Sequence, residues 1–397
     1  MTTERPYGVP AEPRAPQGPV APDLRRATTF AFPSAEALRA VGAGEQPGEF
    51  YPRYGHPAGR AFEARIAERE GADGAVAFAS GHAALYAVFC GLLRPGDVLA
   101  VSEYVYGGVG AMLAEDIAPF GIMVRRFDPF DDASVERALA GGAALVHVET
   151  PTNPLLRVLD LGRIAARARE HGALVSVDAT LLPPPFQRPL AYGVDLVIHS
   201  ATKILGGHSD AHAGVVSGRH ALVARLEAFR RRTGAVLGPD TAWLLLRSLS
   251  TLALRTRAAS ANAGRLAHFL DAMRRTEGPV TRVHYPGLPD HPDHARARET
   301  LETFGFMLTF EVAGGLAGAV AVYDRLQAIA RAGSLGGVET VASLPVHMSH
   351  AMVPPDARAR AGVVDGLIRL SVGVEPYEQI EADLARALTG RRHRHGA

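Results

Sequence analysis

Lys203 has the strongest potential for covalent chemistry in this chain. It follows a short apolar run, residues 195–199, which predicts a strand buried on both faces, and Ser200 and Thr202 stand between the two. Polar groups at the end of a buried strand are where α/β proteins place chemistry. A lysine in such a place must find a partner or lose its proton, and a neutral amine forms Schiff bases with carbonyl compounds. A solvent-exposed loop lysine is the alternative for the residue considered alone.

Asp178 favours the Schiff-base interpretation of Lys203 over that of an exposed loop lysine. A second apolar run, residues 173–177, predicts another buried strand, and it ends in Asp178 with Thr180 close behind. A nucleophilic lysine and an aspartate at neighbouring strand ends are what a pyridoxal phosphate (PLP) site requires, because the aspartate keeps the pyridine nitrogen protonated. The two runs therefore predict a PLP site built on Lys203 and Asp178.

A phosphate site is indicated further upstream. Residues 75–79 predict a buried strand, Ser80, Gly81 and His82 follow it, and residues 83–93 predict a helix. A strand that runs through Ser-Gly into a helix aims free backbone N–H groups and the helix dipole at one point, where a phosphate can bind. Junctions of this kind are common, so the motif alone is a weak signal.

Arg369 is a charged residue within an otherwise apolar run. Residues 367–372 otherwise predict a buried strand. A buried arginine is seldom tolerated without a carboxylate partner, which its guanidinium binds through two parallel hydrogen bonds. We therefore expect a carboxylate beside Arg369.

These residues belong to six ordered stretches that resemble the Cys/Met-metabolism family of PLP-dependent enzymes. The stretches are residues 80–82, 106–108, 149–154, 173–180, 195–208 and 367–373, and the similarity covers about residues 27–388. The family includes methionine γ-lyase, cystathionine γ-synthase, the cystathionine β- and γ-lyases and the homoserine sulfhydrylases. The resemblance implies an α/β protein of the PLP-dependent transferase fold type I, whose large domain has a mostly parallel mixed sheet between helices.

The resemblance also implies a division of the chain. Residues 1–55 would form a flexible N-terminal arm that contacts a neighbouring subunit, residues 56–240 the PLP-binding large domain, and residues 241–397 a smaller α+β domain. The implied assembly is a homotetramer, a dimer of dimers with active sites shared between subunits.

Individual roles follow from the resemblance. Lys203 would carry PLP and move protons, Asp178 would hold the ring nitrogen, and Tyr106 would stack on the ring and protonate the leaving group. The implied PLP ligands are Tyr51 and Arg53, acting across the subunit interface, and Ser80, Gly81, His82, Tyr106, Asn153, Asp178, Thr180, Ser200, Thr202 and Lys203. The implied substrate ligands are Arg369 for the α-carboxylate, Ser334, Val338 and Glu339.

Several positions depart from the family. His82 replaces a methionine, His56 and Ala179 replace asparagines, and Gly108 stands where methionine γ-lyases carry cysteine. Residues 233–237, in contrast, resemble methionine γ-lyases more than the synthases.

The expected activity is γ-elimination from methionine or a related thioether, which gives 2-oxobutanoate, ammonia and a thiol. The runner-up is γ-replacement on an O-acylhomoserine, as in cystathionine γ-synthase, because residues 334–339 resemble the synthases. A cystathionine γ- or β-lyase is a further alternative. A PLP-binding protein without catalysis is the most distant one.

Composition sets limits on the class of protein. The 397 residues include 42 basic and 41 acidic side chains, a net charge of +1, which favours neither nucleic acid nor a membrane surface as partner. The single cysteine, Cys90, excludes an internal disulfide. The histidines form no metal-binding spacing, and no apolar run is long enough to span a bilayer. We expect a soluble, cytoplasmic enzyme without a metal.

Local patterns predict further elements. Ser34 should cap a helix over residues 34–41, and residues 62–71 should form the next helix. Helices are also predicted over residues 240–257, 261–273 and 376–388, and strands over residues 283–285, 307–312, 340–344 and 367–372. The proline-rich residues 1–22 should be flexible, and residues 391–395 should form a solvated basic tail.

Overall fold

The computed structural model describes residues 21–351, 353 and 355–390. Twenty of the 22 N-terminal residues that were expected to be flexible, and the expected basic tail at residues 391–395, lie outside this range. In chain order the strands are β1 Gly74–Phe78, β2 Val98–Ser102, β3 Met123–Phe127, β4 Ala143–Glu149, β5 Leu174–Asp178, β6 Leu196–His199, β7 Gly214–Gly218, β8 Val280–His284, β9 Met307–Val312, β10 Ala330–Arg331, β11 Val341–Ser343 and β12 Leu367–Ser371.

The α-helices lie before, between and after these strands. They are α1 Ala35–Gly42, α2 Pro57–Glu70, α3 Gly81–Leu92, α4 Gly107–Met112, α5 Asp132–Leu139, α6 Leu161–Glu170, α7 His220–Thr233, α8 Pro239–Leu249, α9 Leu252–Arg275, α10 His294–Thr300, α11 Gly315–Arg325, α12 Pro355–Arg360 and α13 Tyr377–Thr389. Ser34 caps α1 as predicted, since its side chain accepts a hydrogen bond from the N–H of Ala37.

The larger sheet has seven strands in the order β1-β7-β6-β5-β4-β2-β3. Strand β7 pairs antiparallel with both of its neighbours, and the remaining pairs are parallel. Helices α3 and α7 bury apolar side chains against one face, while α5 and α6 do so against the other. This confirms the mostly parallel mixed sheet between helices, whose central strands are apolar because both faces are covered.

The second sheet has five strands in the order β10-β11-β12-β9-β8. All of its pairs are antiparallel except β10 with β11. Helices α9, α11 and α13 contribute to its core, so the α+β character expected of the C-terminal part is confirmed. The domain boundaries near residues 55 and 240 stay predictions.

One predicted helix boundary is wrong. The break expected between residues 257 and 261 lies instead at Ser250 and Thr251, between α8 and α9. The guanidinium of Arg255, which is 7% exposed, donates to the carbonyl oxygens of Ser248 at 3.0 Å and of Ile204 at 2.9 Å. It thus satisfies a carbonyl near the end of α8 and binds the turn that follows Lys203.

Parallel pairing brings the predicted polar residues to one edge of the large sheet. The carboxyl ends of β4, β5 and β6 lie side by side, and Glu149 is the register partner of Asp178. Strand β7 begins at the same edge, where a Cβ atom on Gly214 would lie 2.2 Å from the carbonyl oxygen of Ser80. Only glycine lets β7 approach the start of α3 so closely, and the edge becomes a concave site of the kind α/β proteins use.

Candidate active site

A cavity of about 300 Å³ opens at this edge, a volume at the lower end of the range for small-molecule sites. The predicted residues that line it are Ser80, Gly81, His82, Tyr106, Asn153, Asp178, Thr180, Ser200, Thr202, Lys203, Ser334 and Arg369. Seven lining residues were not predicted, namely Leu85, Glu149, Leu181, His212, Leu335, Met348 and Ser349. Residues from both sheets therefore converge on one site.

Lys203 lies half-buried in this cavity. Its Nζ atom donates to Oγ of Ser334 at 2.7 Å. Burial lowers the pKa of Lys203, and the nearby Arg369 guanidinium lowers it further. The environment therefore favours the neutral amine, which is the nucleophilic form.

The half-buried Asp178 and the buried Glu149 place a pair of carboxyl groups at the ends of adjacent strands. Burial raises the pKa of both. For Glu149 the neighbouring Asp178 carboxylate adds to the larger effect of burial, so that its pKa lies well above its usual range. Asp178 accepts a hydrogen bond from the N–H of Thr180 at 2.9 Å, while Glu149 accepts one from the N–H of Tyr106 at 2.8 Å. Two like charges so close favour one ionised and one protonated group.

The start of α3 provides an anion site. Ser80 caps the helix by accepting from the N–H of Ala83 at 3.0 Å, and within the described range the N–H groups of Gly81 and His82 have no acceptor. A Cβ atom on Gly81 would lie 2.9 Å from Cβ of Ser200, so a larger residue would close the space between the two loops. The free amides and the hydroxyl of Ser200 face the same cavity, as a bound phosphate requires.

Thr202 and Thr180 have local partners as well. The hydroxyl of Thr202 donates to the carbonyl oxygen of Ala213 at 3.1 Å and accepts from its N–H at 3.0 Å. The hydroxyl of Thr180 accepts from the N–H of Ser200 at 2.8 Å. Both side chains thus hold the loops that follow β5 and β6, in addition to lining the cavity.

Arg369 is 2% exposed, and no carboxylate is among its partners in the described chain. Its guanidinium donates to the side-chain oxygen of Asn153 at 3.1 Å and to the carbonyl oxygen of Ser334 at 3.0 Å, while Nε has no partner. Burial lowers the pKa of Arg369 to about 10. The carboxylate predicted for Arg369 is thus not supplied by the described residues, and the buried guanidinium lines the cavity as a cation.

His82, Tyr106 and Gly108 are in contact, although two of them are departures from the family pattern. The rings of His82 and Tyr106 meet edge to face, with centroids 5.7 Å apart and an interplanar angle of 80°. A Cβ atom on Gly108 would lie 2.6 Å from Nε2 of His82. The imidazole therefore occupies the space next to position 108.

Four of the predicted residues do not line the cavity. Tyr51 is 45% exposed, and Arg53 donates to the carbonyl oxygen of Arg231 at 3.0 Å. Glu339 accepts a hydrogen bond from Ser209, and Val338 lies beside it. The roles expected for all four stay predictions.

The lining residues that were not predicted differ in whether a sequence pattern indicates them. Glu149 ends the apolar run of β4, so the rule that placed Asp178 at a strand end applies to it equally. Met348 and Ser349, in contrast, lie outside the helices and strands and carry no distinctive pattern. Only the tertiary structure brings them to the cavity.

Comparison with known proteins settles the family. The family model described as Cys/Met metabolism PLP-dependent enzyme matches residues 9–389. The chain belongs to this family. L-methionine γ-lyase of Pseudomonas putida is 40% identical to it over 95% of this chain and 94% of the relative.

Other members of the Cys/Met metabolism family are equally similar. Cystathionine β-lyase of Lactococcus lactis is 41% identical over 86% of this chain and 89% of its own length. The crystal structure of cystathionine γ-synthase from Xanthomonas oryzae pv. oryzae, in complex with aminoacrylate and cysteine, is 37% identical, with a TM-score of 0.88 over 93% of each chain. The protein is therefore a PLP-dependent enzyme of a carbon–sulfur lyase family, and its PLP-dependent transferase fold is confirmed.

The cavity fits PLP. A lysine of lowered pKa, a half-buried aspartate and a set of free amides at a helix start match the aldehyde, the pyridine nitrogen and the phosphate of this cofactor. In the described ranges, no three His, Cys, Asp or Glu side chains are grouped as metal ligands. No helix in the same ranges combines the length and the apolar character needed to cross a membrane.

Proposed function

We propose that the protein catalyses γ-elimination from L-methionine or a related uncharged thioether. The products are 2-oxobutanoate, ammonia and a thiol. The observation that supports this proposal is the position of Lys203, whose amine lies 2.7 Å from Ser334 and close to the buried Arg369 in the cavity of a PLP-dependent enzyme. One group can thus bind a substrate carboxylate while the other moves its protons.

The chemistry divides among a few side chains. When bound, PLP supplies an electron sink that makes protons on the substrate acidic. The neutral amine of Lys203 takes the proton from Cα and gives it up within the site. Neutral again, it takes the proton from Cβ, while Arg369 holds the α-carboxylate in place. The phenol of Tyr106 protonates the thiolate as the bond between Cγ and sulfur breaks, and one water molecule then hydrolyses the product to the keto acid and ammonia.

The walls of the cavity support a substrate with an uncharged side chain. Lys203 and Arg369 are its lysine and arginine in the described chain, and both already have roles. The remaining wall includes Leu335 and Met348, which suit a methyl thioether. A substrate with a second carboxylate would need a cation from elsewhere, because an unpaired buried charge is unfavourable.

A second candidate is γ-replacement, in which a thiol adds to the intermediate from an O-acylhomoserine. It is supported by the likeness to the cystathionine γ-synthase structure, which extends over 93% of each chain. The same residues would move the same protons, and the two reactions would differ only in whether a second nucleophile enters the cavity before water does.

A panel of substrates tests the proposal. Purified PLP-loaded protein is incubated with methionine, homocysteine, cystathionine, and O-acylhomoserine with and without cysteine, and keto acid and new amino acids are measured. Keto acid from methionine alone supports γ-elimination. Product that appears only from O-acylhomoserine with cysteine refutes it and supports γ-replacement instead.

Variants of Lys203 test the chemistry. Lys203→Ala should lower kcat by at least roughly a thousandfold, because both proton transfers lose their base. Lys203→Arg is the matched control, since it keeps a positive charge but cannot give up a proton, and it should be equally inactive. Turnover retained by either variant would refute the role of Lys203.

A further inference from the structure

Tyr106 is held through its backbone and through its ring. The residue is 39% exposed, and its backbone N–H donates to Glu149 at 2.8 Å. Its ring meets the imidazole of His82 edge to face. In the described part of the chain, no residue forms a hydrogen bond with the phenol hydroxyl. Its ring contact with His82 therefore helps to set the direction in which the phenol points, together with the charge of the nearby Arg369 guanidinium.

This contact exists because position 108 carries no side chain. A Cβ atom on Gly108 would lie 2.6 Å from Nε2 of His82 and 2.7 Å from Cε1 of Tyr106. Both distances are far shorter than a van der Waals contact, so both rings would have to move. Gly107 is different, because a Cβ atom there would meet the backbone carbonyl oxygen of Ser349 at 2.4 Å.

We propose that His82 and Gly108 act as a matched pair that positions Tyr106. The imidazole takes the space that a side chain at position 108 would occupy and holds the phenol at the cavity. His82 is then a positioning residue, which acts through Tyr106. The inference rests on the proposed function, since there the phenol protonates the leaving thiolate.

The first test is a cycle of His82→Ala, Gly108→Ala and the double variant, measured with PLP-loaded enzyme and methionine. Each single change should lower kcat about tenfold with little change in KM, because a displaced proton donor slows bond breaking rather than binding. The double variant should be no slower than the slower single variant, since both changes remove the same contact. Losses that multiply would overturn the proposal.

Gly107→Ala is the matched control for the cycle. Its obstacle is the backbone at Ser349, so its loss of kcat should multiply with that of His82→Ala. If the Gly107→Ala loss also disappeared in the His82→Ala protein, the cycle would report general damage to the site, and the pairing would be overturned.

Two more variants separate positioning from other roles of the imidazole. His82→Phe keeps an aromatic ring against the phenol and should restore kcat to within about threefold of the natural enzyme. In Tyr106→Phe enzyme, which lacks the hydroxyl, His82→Ala should lower kcat less than about twofold, because the group it positions is already gone. A Phe variant as slow as Ala, or a full loss in the Tyr106→Phe enzyme, would overturn the proposal.

A structural measurement decides the pairing without turnover. Crystal structures of the cofactor-free natural protein and of Gly108→Ala should show the rings of Tyr106 and His82 displaced by about 1 Å, since a packed site cannot absorb a methyl group in place. Unchanged rings would overturn the pairing. A natural enzyme that leaves every thioether intact would instead refute the proposed function, so the two failures are distinguishable.

Discussion

Among single residues, Glu149 and Asp178 show how burial divides two similar groups. They are register partners on β4 and β5, and burial raises the pKa of both. Asp178 would hold the ring nitrogen of PLP, whose positive charge would favour its ionised form. The pKa of Glu149 is raised well above its usual range, by burial and then by the neighbouring Asp178, although backbone N–H groups of Tyr106 and Asn153 donate to it. Glu149 is therefore the member of the pair that keeps its proton, and it holds the Tyr106 loop as a neutral acid.

Glu149→Gln should change how the stability of the cofactor-free protein depends on pH. Because the pKa of Glu149 is raised on folding, the folded state binds its proton more tightly, and stability is lost as pH rises from about 4.5 through the raised value. Each unit of raised pKa corresponds to about 1.4 kcal/mol. Glutamine cannot ionise, and its side-chain oxygen can still accept the hydrogen bond from Tyr106. The variant should therefore become more stable relative to the natural protein as pH increases.

The measurement for Glu149→Gln is urea unfolding between pH 5 and pH 8. The difference in unfolding free energy between variant and natural protein should grow with pH across this interval. Curves that stay parallel would show that Glu149 is already ionised in the folded protein, and they would contradict its role as a neutral acid.

The chemical residues could be predicted from the sequence only where a rule connects residue type to a strand end. Lys203 and Asp178 follow apolar runs, so both were visible, and Glu149 was visible by the same rule. Ser334 depended on the family resemblance, because its contact with Lys203 spans 131 residues and its backbone adopts a φ of +70°. Neither a long-range contact nor a left-handed serine has a local sequence pattern.

At the level of elements, His56 shows how a family departure can preserve local structure. It is the N-cap of α2, and its Nδ1 atom accepts from the N–H of Gly59 at 3.1 Å. Its other ring nitrogen donates to the carbonyl oxygen of Leu237 at 2.8 Å, just before α8. His56, 5% exposed, thus caps α2 as an asparagine at this position would, and its imidazole also connects α2 to the chain before α8.

His56→Ala should lower the free energy of unfolding by about 2 kcal/mol, since it removes a cap and leaves a buried carbonyl oxygen without a donor. His56→Asn should recover about half of this loss, because its side chain can cap α2. Ser34→Ala, at the exposed cap of α1, is the control and should lose about 1 kcal/mol or less. Urea unfolding measures all three, and an Asn variant as unstable as Ala would contradict the capping role.

The elements themselves could be predicted to the extent that burial follows sequence periodicity. Strands β5, β6 and β9 were visible as apolar runs, because both of their faces are covered. Strand β10 was not, since it has two residues and both are exposed. The break between α8 and α9 was misplaced because the apolar pattern continues through it. At the actual break, Arg255 donates hydrogen bonds to carbonyl oxygens of Ile204 and Ser248, and such contacts leave no local sequence pattern.

For the whole molecule, Arg53 and Tyr51, near the end of the N-terminal arm expected from the sequence, do not line the cavity of their own chain. Arg53 lies over the ring of Tyr54 at 4.9 Å from its centroid, and Tyr51 is 45% exposed. A guanidinium is well suited to bind a phosphate, but Arg53 is not among the residues of this chain that line the cavity around the anion site at the start of α3. We infer that Arg53 and Tyr51 complete the site of a second subunit, within the homotetramer expected from the sequence.

Mixing two inactive proteins tests this sharing. Arg53→Ala and Lys203→Ala subunits, once exchanged, should form hybrid dimers in which one site combines the natural Lys203 of one subunit with the natural Arg53 of the other. With random exchange, half of the dimers are hybrid and half of their sites are intact, so about a quarter of the natural activity should return.

The control for subunit mixing is a pair of variants whose changed residues belong to the same site of one chain. Asp178→Asn mixed with Lys203→Ala leaves a defect in every site of the hybrid dimer, because both residues line one cavity of one subunit. No activity should return in that mixture. If the Arg53→Ala mixture also stays inactive while exchange is demonstrated by mass spectrometry, Arg53 does not act across the interface, and the arm would have to serve its own subunit instead.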